Sequence, residues 1–449
     1  MMQLSVYKEH YKETIRLGVP IMLGQLGIIV VGFADNIMVG HHSTAELAAA
    51  SFVNNFFNLV FIAGMGFSYG LTPIIGGYFA QKEYAKAGET LKNSLCINLI
   101  VGLLLSLCML TLLLNIHILK QPEELMPYIV PYYILQLFSV IFAMLFNSFK
   151  QFSDGTTDTV TPMCVMLGAN VLNIIGNYLL IYGNFGCPEL GLTGAGISTL
   201  ASRILTFGIF CVLFAKHSRY KLYREGFKKG TVNRANIGNL VRLGLPVGFQ
   251  MGVETGSFSL SVIMMGWLGS TALAAHQVAG VITTLGFMVY YGIAAAVTIR
   301  VSNFRGRNDW PAIRHASFAG LHLVMGTAAI VVLLIGIFRN IMGYIITPEK
   351  RGGRTGRPAR LVSDPVSGRR RAANPLRQRS ARHLGCQIHG LYGFLLPLRT
   401  GTSHRLPVRV HLWLGSHRHL VRLPDQPDHA RTVTLETFQS IDNKKIGYD

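Results

Sequence analysis

Charge is scarce in this chain: Asp, Glu, Lys and Arg make up 14% of 449 residues, and only 21 of them are acidic. A soluble domain carries about a quarter of its residues as charges, so a water-exposed globule is excluded. Cysteine is sparse as well. Five of the six, Cys96, Cys108, Cys164, Cys187 and Cys211, are scattered through or beside apolar runs without a C-x-x-C or any paired metal-ligand spacing. That argues against a disulfide scaffold and against a structural zinc site, and the adjacent His41 and His42 do not make one without further ligands. No phosphate-cradling glycine loop with its lysine, no H-E-x-x-H and no nucleophile elbow occurs. An enzyme, a resident cofactor and ATP-driven work are therefore not expected, and energy should come from an ion gradient.

What the chain has instead is apolar length. Half of its residues are hydrophobic and the mean hydropathy is +0.38. Runs of about 20 apolar residues, enough to cross a bilayer as helix, fall near 15–38, 47–73, 91–114, 127–149, 162–183, 192–214, 240–266, 272–299 and 315–338. Helix is the form required, because an open strand would leave its amides without partners in lipid. The expected fold class is an all-α polytopic membrane protein with about nine transmembrane helices.

The run RLGVPIMLGQLGIIVVGFADNIMVGHHSTAELAAAS returns in register as RLGLPVGFQMGVETGSFSLSVIMMGWLGSTALAAHQ, 226 positions later. Arg16, Gly18 and Pro20 meet Arg242, Gly244 and Pro246, and Leu47-Ala48-Ala49 meets Leu273-Ala274-Ala275. Such self-similarity defines the architecture before any local reading does. Six spans separate the copies, so both enter the membrane from the same side. That makes them parallel repeats, with a substrate path expected between two lobes that rock against each other.

Lys8, Lys12, Lys82, Lys86, Lys92 and Lys150, seven basic residues from Lys216 to Arg234, and Arg300, Arg305, Arg307 and Arg314 all fall on one side of these spans. The opposite loops contribute only Lys120. This places the amino terminus in the cytoplasm. The first apolar run is too long for a cleavable signal and is expected to target the chain itself. Residues 216–239 are the expected lobe linker, their positive charge a topology determinant facing anionic lipid.

Repeat register still holds at Pro122-Glu123 against Pro348-Glu349 and fails from Arg351 onward. From Arg351 to Arg431 there are 16 arginines, no lysine, three acidic residues and seven histidines. The net charge of +20 divides unevenly: 23 basic residues against 15 acidic before residue 351, and 18 against 6 after it. A shifted reading frame, a basic tail for nucleic acid or anionic phospholipid, and a disordered extension are the three explanations. The first fits the abrupt loss of register, and no nucleic-acid partner is expected. The expected division is an amino-terminal six-helix lobe over 1–215, the linker 216–239, a truncated three-helix lobe over 240–349 and a non-family tail over 350–449.

Each copy holds one carboxylate inside an apolar run, Asp35 in GFADNIM and Glu254 in QMGVETG. An aspartate near the middle of a membrane helix costs roughly 2.5 to 3.5 kcal/mol on insertion scales, so such acids mark functional sites unless they reach interfacial water. Glu254 lies too deep to snorkel and needs a proton, a cation or polar partners such as Gln250 and Ser257. Asn173 and Asn177 are four apart and share one helix face. Their amide oxygens suit a sodium ion, with hydrogen bonding between helices as the alternative, and Gln25 and Gln277 are open to the same two readings. His276 is a candidate proton relay, or a packed histidine. Phe56, Phe57, Phe61, Tyr290 and Tyr291 are candidates to face flat organic cations, or lipid and neighbouring helices.

The pieces RLGVPIMLGQ, ADNIMVGHHSTAELAAAS, DGTTDTVTP, ANVLNIIGNYLLIYG with LGLTGAGISTLASR, and MGWLGSTALAAHQVA together resemble the multidrug and toxin extrusion (MATE) family, close to its NorM-like branch. The resemblance covers residues 1 to about 349 and implies two parallel six-helix lobes. It departs from the family in offering nine helices where the family has twelve. The resemblance implies that Asp35 takes part in cation coupling, with Asn173 and Asn177 beside it, and that Glu254 is the cation-binding carboxylate of the second lobe. The implied function is an antiporter of a bacterial inner membrane, monomeric in the lipid bilayer. It would export small cationic organic compounds in exchange for Na+ or H+, with Na+ a candidate at Asp35, Asn173 and Asn177. A lipid-linked saccharide flippase of the same superfamily, disfavoured by the acidic pair, and an inactive truncated product are the alternatives.

Overall fold

The computed structural model describes residues 2–119, 122–267 and 270–346. The expectations for 350–449 and for Lys120 lie outside the described residues. Within them the chain forms α1 (Met2–His42), α2 (Thr44–Ser68), α3 (Leu71–Ala80), α4 (Tyr84–Leu114), α5 (Met126–Gly155), α6 (Val160–Tyr182), α7 (Gly191–Lys216), α8 (Lys221–Lys229), α9 (Arg234–Trp267), α10 (Ser270–Gly306) and α11 (Trp310–Ile346).

Seven helical stretches among the described residues are long and apolar enough to cross a membrane, and the protein is a multi-pass membrane protein. They match the first six expected spans and part of the eighth. The seventh and ninth expected spans are α9 and α11. α9 is less apolar because Gln250, Glu254, Thr255, Ser257, Ser259 and Ser261 interrupt it. The apolar run of α11 continues past the residues whose side chains are described.

One expected span is broken. The stretch 47–73 divides into α2 and α3 at Tyr69 and Gly70. Pro73 supplies the reason: it has no N–H to donate to the carbonyl of Tyr69, four residues back, and sits instead in the first turn of α3, where that donor is not required. Pro20 and Pro246, by contrast, lie inside α1 and α9, which run on through them.

Polar groups share the interior of the bundle with apolar ones, while large apolar side chains also cover its outside. On α4, Leu103, Leu104, Leu107 and Leu114 are exposed, whereas Asn98, Ser106 and Met109 are buried. The buried polar groups tie helices together: Ser68 Oγ donates to Asn98 Oδ1 at 2.7 Å, and Ser106 Oγ donates to the Leu137 carbonyl at 3.0 Å. In lipid, leucine gains nothing by hiding, so small and polar side chains take the helix interfaces.

The two sequence copies pack reciprocally. α1 lies against α10, and α2 lies against α9. By the repeat register α9 is the second α1 and α10 the second α2, so the first helix of each copy meets the second helix of the other. This is the self-complementary contact that a two-fold axis produces.

Residues 216–239 are ordered rather than a bare loop. α8 packs on α4, where a Cβ on Gly88 or on Gly226 would collide with the facing backbone of Tyr223 or Ala85. Lys92 Nζ donates to the Gly230 carbonyl at 2.8 Å, and Asn93 Oδ1 accepts from the Asn233 N–H at 2.8 Å. Burial pushes the Tyr223 phenol up to about 12, as the hydroxyl of a residue sealed into this joint.

Candidate functional site

Asp35 sits on α1 seven residues before His42, about 10 Å along the axis from that end of the helix. α6 packs alongside and brings up the two asparagines predicted to share a face. Asn177 Nδ2 donates to Asp35 Oδ1 at 2.5 Å. With its amide nitrogen turned toward α1, Asn173 donates to the same oxygen at 3.2 Å, and its own oxygen faces the Thr199 backbone N–H at 3.3 Å. Asn173 and Asn177 are both buried, while Oδ1 of Asn177 has no hydrogen-bond partner among the described residues. A carboxylate held by two amides, with an unused acceptor beside it, is a place where one positive charge or proton is still wanted.

A second charge lies deeper in the same helices. Arg203 is near the middle of α7, about 18 Å along the axis from Gly191. Its guanidinium donates to Ser139 Oγ at 2.5 Å and lies over the rings of Phe57 and Phe61, 4.5 Å and 5.5 Å from their centroids. Those two rings stack on each other at 5.3 Å and 15°. Phe57 and Phe61, candidates to face an organic cation or to meet lipid and neighbouring helices, thus carry a cation of the protein itself from the neighbouring α7. No carboxylate lies within 4.0 Å of this guanidinium among the described residues. From Ser139 a hydrogen-bonded chain continues through Gln136, whose Nε2 donates to Tyr132 Oη at 2.9 Å, to Asn54, which accepts from Tyr132 at 3.1 Å. Sequence reasoning passed over Arg203. Its signal was present in the same form as that of Asp35, a lone charge in the middle of the apolar run 192–214.

Glu254 occupies the α9 position expected of it and is half-buried, with no hydrogen-bond or ion-pair partner among the described residues. The polar partners considered for it do not engage it: Ser257 donates back to the Val253 carbonyl of its own helix at 2.8 Å. α9 leans on α2, where Ser259 Oγ donates to Asn55 Oδ1 at 3.4 Å.

Three of the other candidates stand elsewhere. Gln25 is buried ten residues before Asp35 and lies near Tyr291 of α10, so it belongs to the contact between the copies and not to the Asp35 group. Tyr291 also meets Tyr69, ring centroids 5.9 Å apart. His276 is half-buried near the start of α10. Gln277 lies on the same helix, but its side chain is outside the described residues. A shallow apolar groove between α1 and α6, lined by Met38, Ile174, Ile175, Tyr178, Tyr182 and Asn184, does not include Asp35.

Two further groups escaped the sequence reading. Lys150 and Asp154 form a buried ion pair at 2.9 Å on α5, one turn apart. In the DGTTDTVTP segment, Asp158 accepts from Tyr220 Oη at 3.3 Å and lies 3.5 Å from Arg219, which fastens that turn to the linker. Of the two adjacent histidines, His42 has acidic neighbours. His42 is held between Glu46 at 2.9 Å and Glu189 at 3.0 Å, and since both its ring nitrogens are engaged the group is an ion-pair cluster. Among the described residues no group of three or more His, Cys, Asp or Glu side chains is arranged to hold a metal ion.

Comparison with known proteins agrees with this arrangement of helices. The MatE family model matches residues 20–179 and 246–352. A probable multidrug resistance protein NorM of Photorhabdus laumondii is 30% identical over 345 residues, 75% of this chain and 74% of its own. The multidrug resistance protein NorM of Vibrio cholerae is 30% identical over 350 residues, 77% of this chain and 75% of its own. Among solved structures, the eukaryotic MATE transporter AtDTX14 superposes with a TM-score of 0.68 at 18% identity, covering 77% of this chain and 76% of that one. The outward-facing conformation of a multidrug resistance MATE family transporter does so with a TM-score of 0.66 at 21% identity, covering 75% of each. With the family model matched over more than half of its residues and relatives 30% identical over three quarters of it, this chain belongs to the MatE family of transporters, among relatives of the NorM type.

Proposed function

We propose that this protein is a secondary antiporter that exports amphipathic organic cations and related toxic compounds in exchange for a proton or a sodium ion. The observation that carries this reading is Asp35, held by Asn177 inside the apolar body of the bundle and beside an acceptor oxygen with nothing to accept. A group whose charge is expensive in lipid and whose hydrogen bonding is incomplete responds to occupancy by a small positive ion. Glu254, half-buried and without a partner among the described residues, gives the second copy a site of the same kind.

Occupancy of these acids and binding of the organic compound would bias two access states, since a ligand moves such an equilibrium only by binding one state more tightly. The rocking lobes are residues 1–215 and 240–349, joined by 216–239, with the amino terminus in the cytoplasm and a single chain in the inner membrane. The basic residues on the linker side and the NorM relatives support that orientation and setting. The test is Asp35→Asn in a pump-deficient bacterial host. Gradient-driven ethidium efflux should be lost while the protein still accumulates in the membrane fraction. Efflux at the wild-type rate would remove Asp35 from the mechanism.

A further inference from the structure

We propose that Arg300 and His10 form a latch that holds the two repeat copies together at the amino-terminal face of the bundle, and that a proton on His10 releases it. The inference rests on the reading of two rocking lobes and adds to it the residues that fasten one of their closed contacts.

The latch lies at the end of the seam between α1 and α10. Gly18 and Gly292 meet there on bare backbone, and eight residues further toward the amino-terminal face, about 12 Å along each helix, His10 meets Arg300. Arg300 is buried and takes hold of one turn of α1 by three contacts. Its Nη1 donates to the His10 carbonyl at 2.6 Å and to Thr14 Oγ1 at 2.8 Å, and its Nη2 lies 2.7 Å from His10 Nδ1. Just beyond, Ser302 presses on Gly76 of α3, and a Cβ on Gly306 would lie 2.6 Å from the Gly77 carbonyl oxygen. The repeat does not reproduce these groups: 226 positions away, Arg300 matches Ile74, His10 matches Asn236 and Thr14 matches Leu240. The seam between α2 and α9 closes without them, so the latch is an addition to the shared architecture.

The chemistry of the contact makes it depend on a proton. A guanidinium can only donate, so Nδ1 of His10 is the acceptor and carries no hydrogen while the contact stands. A proton on that nitrogen replaces the acceptor by a donor and sets two cations 2.7 Å apart. The groups around His10 do not offset this. His315 of α11 lies ring to ring at 5.9 Å and can itself become a cation, and His322 is engaged by the Tyr11 hydroxyl at 2.8 Å. Glu9 on α1 and Asp309 before α11 are the acids in its neighbourhood, and no carboxylate lies within 4.0 Å of His10 or Arg300 among the described residues. Protonation is therefore met by loss of the contact between α1 and α10, not by an ion pair.

The test uses the full-length protein in lipid nanodiscs, with its six cysteines replaced by serine and Ser302→Cys as reporter. Ser302 is buried against Gly76, so a thiol there reacts with a maleimide only when the face opens. Labelling is measured at about pH 7.5 and about pH 5, either side of the ordinary histidine value of about 6.5, and each rate is divided by that of the exposed Leu222→Cys at the same pH. In wild type the normalised rate should rise about ten-fold or more on acidification. His10→Asn keeps an acceptor at the same position and cannot take the proton, so it should stay slow at both pH values. Arg300→Met and His10→Lys should be fast at both.

Equal wild-type rates at the two pH values overturn the proposal, and so does a full pH response in His10→Asn, which would move the sensor to His315 or His322. Should Arg300→Met or His10→Lys fail to accumulate, wild type and His10→Asn still decide. Labelling is read without transport, so loss of the antiporter reading in an ethidium assay leaves the latch to stand or fall on these rates.

Discussion

Gly292 crosses Gly18 with the two backbones in contact: a Cβ built on Gly292 would lie 2.9 Å from the Gly18 carbonyl oxygen. The same crossing recurs in the other pair of helices. Gly244 and Gly66, the repeat partners of Gly18 and Gly292, mark where α9 crosses α2. A Cβ on Gly66 would lie 3.0 Å from the Gly248 Cα, and one on Gly70 would lie 2.6 Å from the Gly244 nitrogen. Neither crossing has room for a side chain, so the two copies meet on bare backbone at both.

Gly244→Ala should therefore destabilise the protein by about 1–3 kcal/mol, the usual cost of forcing extra volume into a filled contact. Gly77, whose Cβ would meet nothing within 4 Å, is the control. Thermal unfolding in detergent, followed by size-exclusion fluorescence, compares Gly244→Ala with Gly77→Ala. Equal midpoints for the two would show that the crossing is looser than its geometry.

Asn177 is fully buried and donates to a carboxylate, so removing it strips Asp35 of a charge-assisted bond of roughly 1.5–3 kcal/mol. Asn177→Ala should slow gradient-driven efflux by about ten-fold or more. Asn173→Ala, whose bond to Asp35 is longer, should slow it less. Initial rates of ethidium efflux at matched expression measure both, and the reverse order would reassign the two asparagines.

Glu254→Gln keeps the shape of the side chain and removes its charge. Efflux should be abolished with membrane insertion intact, because nothing in α2 or α9 depends on Glu254 for a hydrogen bond. Wild-type efflux in this variant would leave the mechanism to the first copy alone.

Lys150→Met should cost about 3–5 kcal/mol, since it abandons Asp154 as a buried charge whose Oδ1 already lacks a partner. Replacing both, as Lys150→Met with Asp154→Leu, should recover most of that loss, because two apolar side chains remove the desolvation penalty together. Denaturation midpoints of the single and double variants decide. No recovery in the double variant would mean that the pair holds its neighbours in place by more than its charge.

The joint between α8 and α4 gives a prediction about the linker. Gly226→Val pushes a side chain into the Ala85 backbone and should release α8, freeing the backbone around the already exposed Lys228 and Lys229 for trypsin. Digestion of membranes, read by the appearance of two fragments, should be faster for this variant than for wild type. An unchanged pattern would show that α8 holds by its other contacts.

Hydropathy made the spans legible in the residues alone, because a helix in lipid has to hide its amides internally and needs a fixed apolar length to do so. The repeat was equally plain, and so were Asp35, Glu254 and the shared face of Asn173 and Asn177, since periodicity along one helix is a property of the chain. Pro73 was visible as a residue, but its effect was not: the helix ends at Tyr69 and Gly70, where the next helix can take over. What only the tertiary structure decided are pairings between helices far apart in sequence. Asn177 meets Asp35 across 142 positions, Gln25 lies near Tyr291 and not the acid, and Arg203 takes the Phe57 and Phe61 faces that the residues alone left open between a substrate and neighbouring helices. Local pattern says which side of a helix is polar; which partner fills that side depends on how the helices are rotated and stacked, and that is set by the backbone contacts at Gly18, Gly66, Gly244 and Gly292.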